Sequence, residues 1–442
     1  MQKKLRYYWW LTKGLFSRYA RMIVGFFVSG IILVVFLLRV MPLVVESQQN
    51  PTRVIGMVGT FSPTNLPLTI QRLISTGLTD TDESGMPLPA IATEWQTNEE
   101  GTTYTFTLRD DLFWHDGQKF SSFDVNYNLK DVEFKPVSET VLEVVLKEPF
   151  SPLPNYLSKP LFKKGLIGLG PYKLDSIRLR GDTVSFVRLT PVSIQLELPI
   201  LEIKFYASEE IAKTAFKLGE VNMLDQMSSA QPFTEWKNII VKETPELNKI
   251  VAIYFNNADP LLSVKETRQA LAFAIEKPLS NRVATPLSSK SWAYTNRVKQ
   301  YERDLDTARD LAPDSSDSAM LTLSTYTAYL SQAQVIAAAW NSIGITTKVK
   351  VEDGRPSDFQ ALLVTQEIPT DPDQYTLWHS TQTQTNITQY NYNKKIDKLL
   401  EDGRKEQDLE TRKKIYFDFQ RYLVDDAPAV FLNHPSTYTI SR

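Results

Sequence analysis

The run 22–38, MIVGFFVSGIILVVFLL, contains no charged residue. Arg39 interrupts it and residues 40–45 continue it. As a helix, these about 24 residues reach about 36 Å, enough to cross a bilayer with tilt. The run has no polar face, so it is a poor helix for the wall of a water-facing core. Arg39 can snorkel to the interface. Lys3, Lys4, Arg6, Lys13, Arg18 and Arg21 precede the run, and no acid lies within residues 1–45. The positive-inside rule therefore puts the N-terminus in the cytoplasm and the main body outside. Tyr7, Tyr8, Trp9 and Trp10 suit an interfacial segment. A cleaved signal peptide is the alternative. The run is longer than a usual h-region, and Pro42-Leu43-Val44-Val45-Glu46 offers no small-x-small cleavage site. The expectation is an uncleaved anchor: a cytoplasmic segment 1–21, a transmembrane helix 22–45 and a polar linker 46–53.

Beyond the linker, the chain has the size and composition of a globular body. It has 442 residues in all, 42% hydrophobic and 23% charged, room for two or three domains. Of its 49 basic residues seven lie within residues 1–45, which leaves 42 against 51 acidic ones and a balance of −9 for the rest. A nucleic-acid-binding body is not expected. There is no cysteine, hence no disulfide, thiolate metal site, thiol nucleophile or lipid-modified cysteine. His115, His379 and His434 are the three histidines and lie far apart, so zinc-type spacings are absent. No GxSxG, P-loop or GxGxxG pattern occurs, and the acid pairs Asp110-Asp111, Glu99-Glu100 and Asp425-Asp426 sit where solvated pairs would. An enzyme is not expected, nor a cofactor or a metal.

Residues 106–125, FTLRDDLFWHDGQKFSSFDV, are the densest local pattern. Residues 103–108 alternate polar and apolar as a half-buried strand does. Asp116-Gly117 is a turn pair, and Ser121 or Ser122 caps a short helix with Asp124 in its first turn. His115 and Asp116 look like a catalytic or metal pair, but neighbours on a strand point to opposite sides. The reading preferred is a Trp packed under a hairpin with a polar rim.

Further along, residues 54–58 read as a strand, 59–67 as a loop, 68–75 as a helix, and 99–101 as a hairpin loop. A hairpin is expected from 132–137 with 140–146, and another from 173–188 with Gly181-Asp182 at its tip. Ser263 is expected to cap an Ala-rich helix ending at Ile275. Residues 332–343 read as a helix with Val335, Ile336, Ala339 and Ile343 on one face, and 346–351 as a strand. Residues 314–318 and 380–388 read as surface loops. Strands alternating with helices and hairpins give a mixed α/β class.

The pattern GL-x-D-x-x-G-x-x-x-PAIA-x-x-W, then TYTFTLR, then Trp114-His115-Asp116-Gly117 and an F-x-x-x-DV, resembles the signature of bacterial extracellular solute-binding protein family 5. This is the oligopeptide-, dipeptide- and nickel-binding family of ABC importers. GLGPY at 168–172, with Gly170, Pro171 and Tyr172, is similar to the family's G-x-GPY turn. KLGEVNML at 217–224, the run 253–274, the unit 333–351, Asp371-Pro372 and the last long helix 409–428 come in the family's order. The resemblance covers residues 54–442.

It implies an α/β two-lobed periplasmic-binding-protein fold, type II, with mixed sheets, a ligand cleft between the lobes and two chain crossings. The first crossing is expected at Asn256-Asn257 and the return near 405–425. This gives lobe 1 as 54–256 with a return of about 421–442, and lobe 2 as 257–420. It implies a membrane-anchored extracytoplasmic solute-binding subunit that closes on a peptide or similar small molecule and delivers it to ABC permease and ATPase subunits. The ligand-cleft candidates are Phe61, Thr64, Asn256, Asn257, Thr365, Gln366, Glu367 and Ile368. Trp114, His115, Asp116, Gly117, Gly170, Pro171, Tyr172, Asp371 and Pro372 are expected to be structural. Two departures from the pattern bear on the ligand. The stretch 125–168 is short, so the cleft is expected to be more open. Many members also carry an aspartate for a peptide's α-ammonium three residues before the DP loop, and here that position is Ile368. A surface or sensor protein that retains the fold without transport is the alternative.

Overall fold

The computed structural model describes residues 9, 10, 13, 19, 22, 25–36, 51–313, 320–354, 356, 358–390 and 393–442. Residues 25–36 are helical and exposed, with Phe26, Phe27 and Phe36 among the most exposed large apolar side chains. The remainder of the expected transmembrane segment, apart from Met22, lies outside the described residues, as does the expected loop 314–318. Among the described residues no helix is long and apolar enough to cross a membrane.

Among the described residues three larger sheets organise the body, and Thr79–Thr81 pairs with Pro87–Pro89 in a small two-stranded one. The largest has seven strands in the order Ile240–Pro245, Ser436–Ser441, Met223–Met227, Thr52–Val58, Ile200–Tyr206, Thr183–Pro191, Tyr172–Arg180. Its centre is parallel, Thr52–Val58 pairing with Ile200–Tyr206 and with Met223–Met227. Helix Leu68–Ile74 covers one face through Ile70 and Ile74, against Met57, Val187, Leu189 and Ile203. Helix Glu209–Leu218 covers the other through Ala212, Ala215 and Phe216. Ser208 caps that helix at Ile211 N, and Gly219 ends it at φ 79°, a conformation glycine adopts without strain.

The second sheet has four antiparallel strands, Ala92–Thr97, Thr103–Leu108, Val141–Leu146 and Val132–Ser138. The expected alternation is observed, since Tyr104, Phe106 and Leu108 point inward to Leu142, Val144 and Trp114. The short stretch 125–168 thus supplies a hairpin that completes this sheet.

The third sheet has five strands in the order Thr347–Val351, Leu321–Thr325, Ala361–Glu367, Lys249–Phe255, Ala429–Asn433. Lys249–Phe255 is buried from Ile250 to Phe255, as an inner strand covered on both faces must be. Helices Lys265–Ala274, Leu330–Ser342 and Leu409–Asp426 pack on it with Leu271, Trp340, Tyr416 and Phe419.

The chain passes from the seven-stranded to the five-stranded sheet through residues 246–248 and returns through 434–435. The two connections are tied together, Glu246 N donating to Pro435 O at 2.8 Å. This differs from the expected crossing at Asn256-Asn257. The apolar strand expected to end the first lobe is the inner strand of the second lobe's sheet, and the expected return at 405–425 falls within the helices that cover that sheet. Three smaller readings also change. Helix Lys265–Ala274 starts from Val264 without a side-chain cap, and the Ser263 hydroxyl donates to Pro260 O instead. Val335 is 66% exposed rather than on the packed face of its helix. The expected surface loop 380–388 carries two buried residues, Asn386 and Thr388.

Candidate functional site

The strand registers determine which candidates lie together. In the seven-stranded sheet, Val58 lies beside Tyr206, Met227 beside Tyr438, and Pro245 beside Ser436. These are the strand ends next to the crossings, and the loop 59–67 comes directly after Val58. In the five-stranded sheet, Lys249 pairs with Glu367 and Val251 with Asn433, again next to the crossings. Phe61 and Thr64 on one lobe, and Thr365, Gln366, Glu367 and Ile368 on the other, therefore occupy the ends that flank the junction. The first group lies at the carboxyl ends of parallel strands, where open α/β sheets place their ligand crevices.

Asn256 and Asn257 do not join them. They lie at the opposite end of strand Lys249–Phe255, about 20 Å from the crossing at about 3.3 Å per residue. Asn256 Nδ2 donates to Phe359 O at 3.0 Å, and its Oδ1 accepts from Ala258 N at 3.1 Å. Asn257 is buried, with Nδ2 donating to Phe255 O and Thr388 O at 2.9 Å each. Both asparagines bracket loop backbone at the far end of the lobe.

At the junction, the Phe61 ring packs on Phe205 with centroids 5.1 Å apart and folds over Gly59, whose φ of 143° and lack of a Cβ make room for it. Thr64 is exposed and bonds Ser62 at 3.1 Å. Thr365 bonds the Tyr329 hydroxyl. Glu367 is exposed, and Gln366 Nε2 donates to Glu367 O at 3.1 Å. Ile368 N donates to Asn248 O in the crossing at 2.8 Å, and its side chain is buried with Ile250, Tyr254, Trp378 and Phe431.

The most conspicuous histidine is committed elsewhere. His115 Nδ1 accepts from Gly168 N at 3.3 Å, and Nε2 donates to Gly170 O at 3.0 Å. The imidazole therefore joins the WHDG turn to the GLGPY stretch. Burial lowers its pKa. Asp116 Oδ1 accepts from Gln118 N at 3.0 Å, Trp114 Nε1 donates to Asp124 at 3.3 Å, and Gly117 takes φ 84°. Gly170 passes so close to the Ile74 carbonyl that a Cβ would not fit, Pro171 leads into the strand, and Tyr172 is buried.

The DP loop is held by two ion pairs. Arg412 donates to both carboxylate oxygens of the buried Asp371, Nη1 to Oδ2 at 3.0 Å and Nη2 to Oδ1 at 2.5 Å, and its Nε donates to Gly403 O at 2.8 Å. Burial pulls the guanidinium pKa down, but the Asp371 charge outweighs it and the net shift is upward. Arg404 donates to Asp373 at 2.9 Å, and there burial raises the carboxyl pKa against the arginine's pull. Pro372 separates the two anchored aspartates. The four-stranded unit rests on this region. Ser151 N donates to Arg404 O at 2.9 Å, Tyr104 Oη to Gln407 Oε1 at 2.9 Å, and Trp292 N to Ser84 O at 3.0 Å. A cavity of about 280 Å³ remains between them, walled by Trp95, Tyr104, Trp292, Asp371 and Arg412. No sequence motif marks Arg404, Arg412, Trp292 or Tyr104 as a site residue, because the side chains that Arg404, Arg412 and Tyr104 pair with, Asp373, Asp371 and Gln407, lie 31, 41 and 303 residues away.

Among the described residues, no group of three or more His, Cys, Asp or Glu is arranged to hold a metal ion. Residues 87–392 match the model of the bacterial extracellular solute-binding proteins, family 5 Middle. The chain is 22% identical to the dipeptide-binding protein of Escherichia coli K12, with 86% of each chain covered. It is likewise 22% identical to the oligopeptide-binding protein AppA of Bacillus subtilis, covering 89% of this chain and 88% of that one. Among solved structures it is similar to CtaP of Listeria monocytogenes, an ABC transporter substrate-binding protein, with TM-score 0.76, 22% identity, and 89% and 94% of the two chains covered. NikZ of Campylobacter jejuni in complex with Ni(L-His) gives TM-score 0.72 at 23% identity, covering 88% and 94%. These likenesses show the two-lobed mixed α/β fold that the sequence leads one to expect. With more than half of its length matching the family model, the chain belongs to the bacterial extracellular solute-binding proteins of family 5.

Proposed function

We propose that this chain is the extracytoplasmic solute-binding subunit of an ABC importer, anchored by its N-terminal apolar run. It takes up a peptide or a similar small solute between two lobes and delivers it to a permease paired with ATPase subunits. The lobes are the seven-stranded sheet with its covering helices, and the five-stranded sheet with its own. Residues 246–248 and 434–435 are the hinge, which absorbs the backbone rotation of closure. The observation that carries this reading is the convergence at the two crossings of the loop 59–67 from one lobe and residues 365–368 from the other. Two crossings side by side allow a bend while holding register, since Glu246 and Pro435 are bonded. Relatives described as dipeptide- and oligopeptide-binding proteins support a peptide as the solute. The apolar run 22–45 supports tethering, with the body outside the membrane.

Native mass spectrometry of the full-length chain, released from detergent micelles, tests the solute. A heterogeneous envelope of co-purified peptide masses is expected. A single nickel chelate or a sugar would contradict the peptide form. A chain that carries no solute, and gains no stability from peptide mixtures, would favour the surface or sensor reading.

A further inference from the structure

Behind Ile368 lies a cavity of about 10 Å³, room for one water-sized group. Ile250, Tyr254, Ile368 and Phe431 wall it, and among the described residues no charged side chain lines it. Its rim includes Gln366 and Thr385, both at least partly exposed, and Gln366 pairs with Ile250 next to the crossing. Its buried polar lining is Thr388, whose hydroxyl donates to Asn386 Oδ1 at 2.8 Å, and two side chains that lack partners among the described residues. Gln374 is 0% exposed, and neither its Oε1 nor its Nε2 has a hydrogen-bond partner among the described residues. Trp378 is 2% exposed, and its Nε1 is likewise without one. A core that leaves one acceptor and two donor groups desolvated and unpaired is unstable as it stands, so a polar group must complete it.

We propose that the solute completes it, and that this cavity selects an uncharged tip able both to donate and to accept hydrogen bonds. A hydroxyl is the group of that size. This assignment rests on the solute-binding reading above. A hydroxyl oxygen accepts from Trp378 Nε1 and Gln374 Nε2, and its hydrogen goes to Gln374 Oε1. A methyl group leaves all three unpaired. An ammonium has no acceptor to give and meets no counter-charge among Ile250, Tyr254, Ile368 and Phe431, so its desolvation goes uncompensated. In the empty protein a single water fills the same role, and solute binding displaces it.

The test is calorimetric titration of the full-length chain in detergent micelles with the tripeptides Ser-Ser-Ser, Ala-Ala-Ala and Lys-Lys-Lys. For the native chain, Ser-Ser-Ser is expected to bind about tenfold more tightly than Ala-Ala-Ala, and Lys-Lys-Lys more weakly than either. In Gln374→Leu the serine-to-alanine ratio is expected to fall to about twofold or less. Trp378→Phe removes the N–H together with the pyrrole half of the indole while keeping an aromatic ring, and is expected to lower the ratio partway should the first variant misfold. A native chain that binds the peptides without preferring serine, or a folded variant that keeps the full preference, would overturn the assignment and leave the cavity to a structural water. Failure of all three peptides to bind the native chain would contradict the peptide reading itself, and this assignment with it.

Discussion

His115, His434 and Arg412 each bond a backbone carbonyl of another segment. The Arg412–Asp371 pair is buried, bidentate and bonded in addition to Gly403 O. Removing one partner of such a pair strands the other charge in a low dielectric, so Arg412→Leu is expected to cost about 3–5 kcal/mol in urea unfolding. A loss under about 1 kcal/mol would mean that the pair is solvated. His434 occupies the return crossing with both ring nitrogens engaged, Nε2 accepting from Ser289 N at 3.1 Å and Nδ1 donating to Lys249 O at 2.7 Å. Burial lowers its pKa below the usual 6.5. Its neutral form is the native one, and protonation would face a ring N–H against the Ser289 N–H. Above pH 6.5 neither folded nor unfolded chain protonates it, and no stability is lost. As pH falls through 6.5 the unfolded chain takes up the proton first, and stability drops until the folded-state pKa is passed. His434→Gln is therefore expected to have a shallower decline in urea midpoint below pH 6.5 than the native chain. Equal slopes would contradict this.

Among the elements, the periodic ones are legible in the sequence and their pairings are not. Residues 103–108 show their strand by alternation, 68–74 their helix by apolar spacing, and the WHDG turn its Asp-Gly, because these signals are local. Lys249–Phe255 is equally plain as a strand, yet nothing within it says that Ala361–Glu367 rather than the first sheet will pair with it. That is why the sequence places the crossing after this strand when it lies before it. For the same reason Asn256 and Asn257 look like cleft residues in the sequence although they close loops at the far end. Gln374 and Trp378 carry no motif, and only folding reveals that their side-chain polar atoms lack partners among the described residues. The turn around Gly85 shows how the elements lock. At φ 83°, with Thr370 O where a Cβ would be, it admits no side chain. Gly85→Ala is expected to lower stability by about 1–3 kcal/mol and to loosen the four-stranded unit from the DP loop, read as faster hydrogen exchange at Trp292 N and Ser151 N. Unchanged exchange at both amides would show that the contact is dispensable.

At the scale of the whole molecule, the architecture is two sheets joined by two adjacent strands of chain, with a third, smaller sheet braced against the second lobe. That sheet is tied to the first lobe as well, since His115 bonds Gly168 and Gly170 just ahead of strand Tyr172–Arg180 and Leu161 N donates to Thr76 O beside helix Leu68–Ile74. The signature residues and the family match lead to the same architecture, but the shortened run 125–168 and the buried Ile368 make the solute this chain's own question. Because the chain has no cysteine, two introduced ones can carry a donor and an acceptor dye without background. Asp182 is exposed at the hairpin tip of the seven-stranded sheet, and Lys348 is exposed on the outer strand of the five-stranded one. In Asp182→Cys/Lys348→Cys, the co-purified solute is expected to shift the transfer efficiency saturably, with the same midpoint as binding. Saturable binding with no shift in transfer would contradict closure of the two lobes about residues 246–248 and 434–435.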